Sequence, residues 1–193
     1  MTQDASSVAA IAAPVSTGAN GDPFDDFRAK FLAKPCPPER IANPDQVKPM
    51  RAEDGLLIWT AGTALADDGT VPEAPLITPE QDAAKSLWAI EAAQVPYAPE
   101  NCAFGKTLAS GVIKHSNLTG GGAAHCAGEI ILLSGDTIIV NGCSGRYGPQ
   151  SGDEMSAVAK AFRASGYYVW SMGFDPDTAR ALPFIGVTPI WVP

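Results

Sequence analysis

Charge is scarce in this sequence. Only 18% of its 193 residues are charged, and 21 acids against 13 bases give a formal net charge of −8. A protein that grips a phosphate backbone needs the opposite balance, so a broad nucleic-acid surface is not expected and only a local basic pocket is left open. Histidine is scarcer still, with two residues, His115 and His125. The four cysteines, Cys36, Cys102, Cys126 and Cys143, contain no CxxC pair, which argues against a zinc ribbon, and no metal site is expected. No apolar run reaches the roughly 20 residues of a membrane span. The apolar stretch Val8 to Ala13 follows Asp4 and no Lys or Arg, so it lacks the positive start and long greasy core of a secretory signal. A cytoplasmic product is expected, and any export would need a specialised secretion system without a cleaved signal peptide.

What is present is apolar material enough for a sizeable core: 46% of residues are hydrophobic, in a chain of single-domain length. Such a chain folds without covalent staples, so free thiols are the expectation, although four cysteines allow three pairings. Residues 1–21, rich in Ala, Ser, Gly and Thr, read as a flexible leader, and residues 22–193 as one domain. Structure should start at "DPFDDFRAKFLAK", with Asp22 as cap, Pro23 at the first helical position, and Phe24, Phe27, Phe31 and Leu32 on one face. "LLIWT" at 56–60 reads as a strand. "TPEQ" opens a second helix with a capping box at Thr78 and Gln81, expected to run to about Gln94 with Ala83, Leu87 and Ile90 inward.

From Leu108 the pattern turns to strands: "LASGVIK", then "EIILLSGDTIIVN" with a tight turn at Ser134-Gly135-Asp136. A third helix follows over "SGDEMSAVAKAFRASG", with Met155, Val158 and Phe162 as its buried stripe. "YYVWSMGF" reads as a strand, "DPDTARAL" as a short helix and "GVTPIWV" as a last strand. The order of elements predicts an α+β domain with a largely antiparallel sheet and about three packing helices.

The chemistry-bearing residues gather in one Gly-rich hairpin module at 108–149. His115 is placed near a strand end, with Ser116 on the opposite face if the strand continues. Gly120, Gly121 and Gly122 can offer backbone N–H groups to an anion, but no Gly-Lys-Ser/Thr follows, so this is not a Walker loop. The hairpin sets Gly128 and Glu129 opposite Asn141 and Gly142. It thereby brings His125, Cys126 and Glu129 close to Cys143, Ser144, Arg146 and Tyr147. Arg146 can hold a phosphate in bidentate fashion and Tyr147 can stack on a base. Each residue has a plainer role as well. Glu129 can pair with Arg146 on the surface, Tyr147 can be a core aromatic, and Cys126 and Cys143 can be small buried hydrophobes or a cross-strand disulfide.

These residues resemble a module found in the plant IQ-motif calmodulin-binding proteins of the IQM type and in domains of bacterial effectors and polymorphic toxins. The module reads H-S-x-[FL], a Gly-rich loop, A-G-[ER], a hairpin with a central Gly, then S-G-x-Y-x-P. It is carried here by His115, Ser116, Leu118, Gly121, Gly122, Ala127, Gly128, Glu129, Gly135, Ser144, Gly145, Tyr147 and Pro149, within about a quarter of the chain. Arg146 stands where the module usually has His, the plant relatives accept Arg at the position of Glu129, and no IQ segment is recognisable. The resemblance implies a bacterial effector or toxin-type domain and fixes no reaction.

Three functions follow as expectations. The first is an ADP-ribosyltransferase-like transferase that binds NAD or a related nucleotide and acts on a protein target. His115 and Ser116 would hold the ribose or nicotinamide, Gly120 to Gly122 the cofactor backbone, Arg146 a phosphate and Tyr147 a base, while Glu129 polarises a hydroxyl. The second is a cysteine-dependent hydrolase or amidase using Cys126 or Cys143 with a histidine base. The third is a non-catalytic protein-binding module.

Overall fold

A computed structural model describes residues 21–63, 65 and 69–193. Nearly all of the leader expected at 1–21 lies outside the described residues. The elements in chain order are α1 (Asp25–Lys30), β1 (Leu57–Ile58), α2 (Pro79–Ala83), β2 (Ser86–Ile90), β3 (Pro96–Pro99), α3 (His115–Leu118), β4 (Cys126–Leu132) and β5 (Thr137–Val140), followed by α4 (Gly152–Ala164), β6 (Tyr168–Ser171), β7 (Phe174–Asp175), β8 (Arg180–Ala181) and β9 (Ile190–Val192). Seven strands form one sheet in the order β1-β3-β2-β4-β5-β6-β9, and β7 and β8 form a separate hairpin. Every neighbouring pair in the large sheet is antiparallel except β5 and β6. That parallel step needs a long crossover, which α4 supplies. The α+β class with a largely antiparallel sheet is therefore as the sequence predicts. Among the described residues, no helix is long and apolar enough to cross a membrane.

The long helix α4 forms for legible reasons. Ser151 Oγ accepts from Glu154 N–H at 3.1 Å, and Gly166, at φ +91°, turns the chain away past the C-terminus. Its Met155, Val158 and Phe162 are buried against the sheet residues Ile130, Ile138, Val140 and Val169. Phe162 is the hub of that layer, edge-on to Phe24, Trp59 and Trp88 at 5.1, 5.0 and 5.2 Å. α1 brings Phe24 and Phe27 to the same layer, with Asp22 Oδ1 accepting from Phe24 N–H at 3.0 Å. Leu32, expected on that face, lies past the end of α1 and is 89% exposed.

Three expected elements come out differently. The helix begun at Thr78 has its capping box, with Gln81 N–H to Thr78 Oγ1 at 3.3 Å and Thr78 N–H to Gln81 Oε1 at 2.9 Å, but it stops at Ala83. Residues 86–90 instead form β2, buried at every position and paired with both β3 and β4. A strand enclosed on both faces is apolar throughout, so "SLWAI" also satisfied a helical stripe, and pairing with two neighbours overrides local preference. No strand forms at 108–114. Gly111, at φ +71°, reverses the chain and Ile113 drops into the core. Finally, "DPDTARAL" is the β7–β8 hairpin. Its turn is set by Asp175, which accepts from Asp177 N–H at 2.9 Å and Thr178 Oγ1 at 2.7 Å.

Candidate functional site

His115 opens the single turn of α3, which is seeded by Lys114 N–H donating to Asn117 Oδ1 at 2.8 Å. His115 is partly buried, and its Nε2 donates to Gly128 O at 2.8 Å, which places a proton on that nitrogen. Burial pulls the imidazole down to about 4, the hydrogen bond to Gly128 opposes this, and the charges of Arg146 and Lys114 add to it. Ser116 is fully buried and donates to Gln46 O. Asn117, equally buried, donates to Asp45 O at 2.7 Å and Lys48 O at 2.8 Å. Together these residues fasten the segment 43–50 to the sheet.

The three glycines serve the same purpose. Gly120 and Gly121 have φ of +56° and +79°, and a Cβ on either would press on Pro49 or Val47 at 3.2 or 3.1 Å. Their N–H groups donate inward, Gly121 to Ser116 O at 2.8 Å and Gly122 to Thr119 O at 2.9 Å, so they do not splay toward an anion. Gly122 O in turn accepts from the Tyr147 hydroxyl at 2.8 Å, and Thr119 Oγ1 lies 3.2 Å from that hydroxyl oxygen. The Tyr147 ring is wholly buried and offers no face to a stacked base. Burial, with the neighbouring Cys36 thiol, pushes the phenol far up.

Glu129 and Asn141 face each other across the β4–β5 hairpin, as the position of its turn predicts. Asn141 is fully buried. Its Nδ2 donates to Glu129 Oε2 at 2.8 Å, and its Oδ1 accepts from Glu129 N–H and Cys143 N–H, each at 3.0 Å. The charge partner of Glu129 is Lys85 at 3.8 Å rather than Arg146. Lys85 also lies 3.3 Å from Asp82 and 3.5 Å from Glu100. Burial raises the Glu129 carboxyl, against the pull of Asn141 and Lys85. Burial lowers Lys85, but the three carboxylates outweigh it and leave its pKa raised.

All four cysteines are free. Cys126 is sealed from solvent, and burial pushes its thiol far up. Cys143 is pushed up to about 11, by burial first and then by the charge of Glu129. Its Sγ lies 3.5 Å from Leu182 O, toward which it donates. His125 Nδ1 pairs with Phe31 O at 2.6 Å. Neither thiol is activated as a nucleophile would be.

A polar pocket of about 740 Å³ sits between residues 142–150 and the β7–β8 hairpin, lined by Arg40, Arg146, Arg180, Cys143, Ser144 and Gln150 among others. Arg146 is oriented by donating from Nη2 to Arg40 O at 2.6 Å and Gln46 Oε1 at 2.7 Å, and its buried Nε has no protein partner. Arg40 Nη1 donates to Gly145 O and so braces the same loop. Among the described residues, none of the three arginines is within ion-pair distance of a carboxylate. The loop's far end is tied down by Lys34, which bonds Gly148 O at 3.0 Å and pairs with the buried Glu154.

Of the residues singled out from sequence, Arg146, Cys143 and Ser144 line this pocket. Glu129 reaches it through Asn141 and Cys143, while His115, Ser116, Gly120 to Gly122 and Tyr147 hold the scaffold behind it. Arg40, Arg180 and Lys85 gave no signal in the sequence, because their only mark is the company that tertiary contact gives them. No described group of three or more His, Cys, Asp or Glu is placed to hold a metal ion. Neither family models, curated proteins nor solved structures provide a match to this chain.

Proposed function

We propose that this chain binds a phosphate-bearing small molecule of the nucleotide class, NAD among them, in the pocket of Arg40, Arg146 and Arg180. One observation carries the reading. In a chain with 21 acids and 13 bases, three arginines converge on a polar pocket and none has a carboxylate partner among the described residues. Unpaired guanidiniums around a concave polar surface are what a diphosphate or carboxylate requires. A transfer reaction on that ligand would draw its ionisable group from Glu129, whose raised carboxyl is linked through Asn141 to the pocket wall at Cys143. The likeness of residues 115–149 to the effector and toxin module supports an effector or toxin-type domain as the setting for that ligand and selects no reaction.

The test is thermal stability of the full chain with NAD, ADP-ribose, ADP and inorganic phosphate. A ligand at a hundred times its Kd should stabilise by about 2.7 kcal/mol. Arg180→Ala should abolish that shift and leave the unliganded protein unchanged, because Arg180 is exposed and its side chain makes no hydrogen bond or ion pair with the described residues. Equal shifts in wild type and variant would sink the assignment of the pocket.

A second reading has its own support. His115, Ser116, the glycines and Tyr147 all bond internally, so the module can serve as a rigid frame for a non-catalytic protein-binding surface. No response to any phosphate ligand would favour it.

A further inference from the structure

A second pocket, of about 440 Å³, lies on the opposite face of the sheet from α4, at the β6–β9 edge. Three aromatic rings make its wall. Trp170 and Trp191 are direct cross-strand partners in the β6–β9 ladder, so they share a face with Tyr168, two residues before Trp170. Trp170 and Trp191 meet at 64° with centroids 5.1 Å apart, and Tyr168 lies 5.8 Å from Trp191 at 25°. Tyr168 thus lies nearly parallel to Trp191, while Trp170, mostly buried, stands steeply to it at the pocket's base. Pro72, Glu73 and Pro75 close the other side.

The charge of the lining decides what would fit. Among the described residues, no Lys, Arg or His lines this pocket, its one acidic side chain is the exposed Glu73, and Glu73 has no described hydrogen-bond or ion-pair partner. Aromatic faces carry negative electrostatic potential, and a carboxylate at the rim adds to it. The chain already uses this attraction nearby, with the Arg163 guanidinium carbon 5.4 Å from the Tyr168 ring centroid.

We propose that the Tyr168–Trp170–Trp191 pocket binds a small organic cation of the quaternary-ammonium class, with Glu73 as the counter-charge. A methylated ammonium suits such a site better than a protonated amine, because it gives up no hydrogen bonds to water on entering an apolar wall. The pocket is separate from the arginine pocket and does not depend on it.

The experiment follows tryptophan fluorescence of the full chain during titration with choline and with 3,3-dimethyl-1-butanol, its uncharged isostere, at constant ionic strength. Choline should give a saturable change, and the isostere should bind at least about tenfold more weakly. Glu73→Gln, on an exposed coil, leaves the fold intact and should weaken choline about fivefold. Trp191→Leu should remove binding. Nε-trimethyl-lysine, titrated in parallel, distinguishes a modified side chain from a free cation as the source, and saturable binding of either upholds the site. Equal affinity for choline and the isostere, or no effect of Glu73→Gln, would overturn the cation assignment. Saturable binding of a neutral glucoside in place of choline would overturn it in favour of sugar stacking.

Discussion

The imidazole of His115 should make this protein sensitive to mild acid. In the fold it is neutral, donates from Nε2 to Gly128 O at 2.8 Å, and is held down to about 4 by burial and by Arg146 and Lys114, against an ordinary 6.5. Between those values the unfolded chain binds the proton and the folded chain does not. Stability from this residue is therefore full above pH 6.5 and falls as the pH drops toward 4. Each pH unit within that window costs up to about 1.4 kcal/mol, so by pH 5 the loss is about 2 kcal/mol. For a domain of this size that is a fall in Tm of about 4–8 °C. Glu129 acts in the opposite sense, because burial raises its carboxyl above 4.5 and its contribution is lost as pH rises through the raised value. His115→Gln isolates the histidine: its amide can donate to the same carbonyl but does not titrate, and Glu129 is common to both proteins. Urea unfolding at pH 7.5 and pH 5 should show wild type losing about 2 kcal/mol more than the variant. Equal losses would refute the neutral imidazole.

Gly128→Ala tests the closest packing in the hairpin. Its Cβ would lie 2.0 Å from Asn141 O and 2.7 Å from Trp88 Cζ2, so a loss of about 3 kcal/mol or more in urea unfolding is expected, and a neutral result would mean the β2–β4–β5 register is wrong. Tyr147→Phe leaves the ring buried but strips Gly122 O of its donor, at a cost of about 1 kcal/mol, and should leave phosphate-ligand binding unchanged. Loss of ligand binding in that variant would place the phenol at the pocket rather than behind it.

The arginine and aromatic pockets owe their chemistry to different kinds of information. Arg146 could be marked from sequence because the hairpin turn at 134–136 fixes which residues face one another, and the period-2 geometry of paired strands carries that placement outward. The Asn141–Glu129 clamp follows the same register. Arg40 and Arg180 could not be marked, since they lie 106 and 34 positions from Arg146 in sequence and meet it only when the segment before β1 and the β7–β8 hairpin fold back onto the loop. His115 was marked for chemistry because an imidazole, a hydroxyl and glycines stand together there. The same residue types also satisfy a buried backbone, and only the direction of each side chain separates the two uses.

Local rules therefore determined α4 with its Ser151 cap and Gly166 stop, the capping box at Thr78, the β4–β5 hairpin and the α+β class. Each depends on groups within a few residues of one another, where hydrogen-bond reach and side-chain period settle the outcome. The tertiary structure decided the rest: that "SLWAI" is a strand, that the glycine loop faces inward, and that the arginines and the tryptophans each gather around a pocket. Those outcomes depend on burial and on partners far away in the chain, and an apolar run or a lone charge carries no mark of which partner it will find.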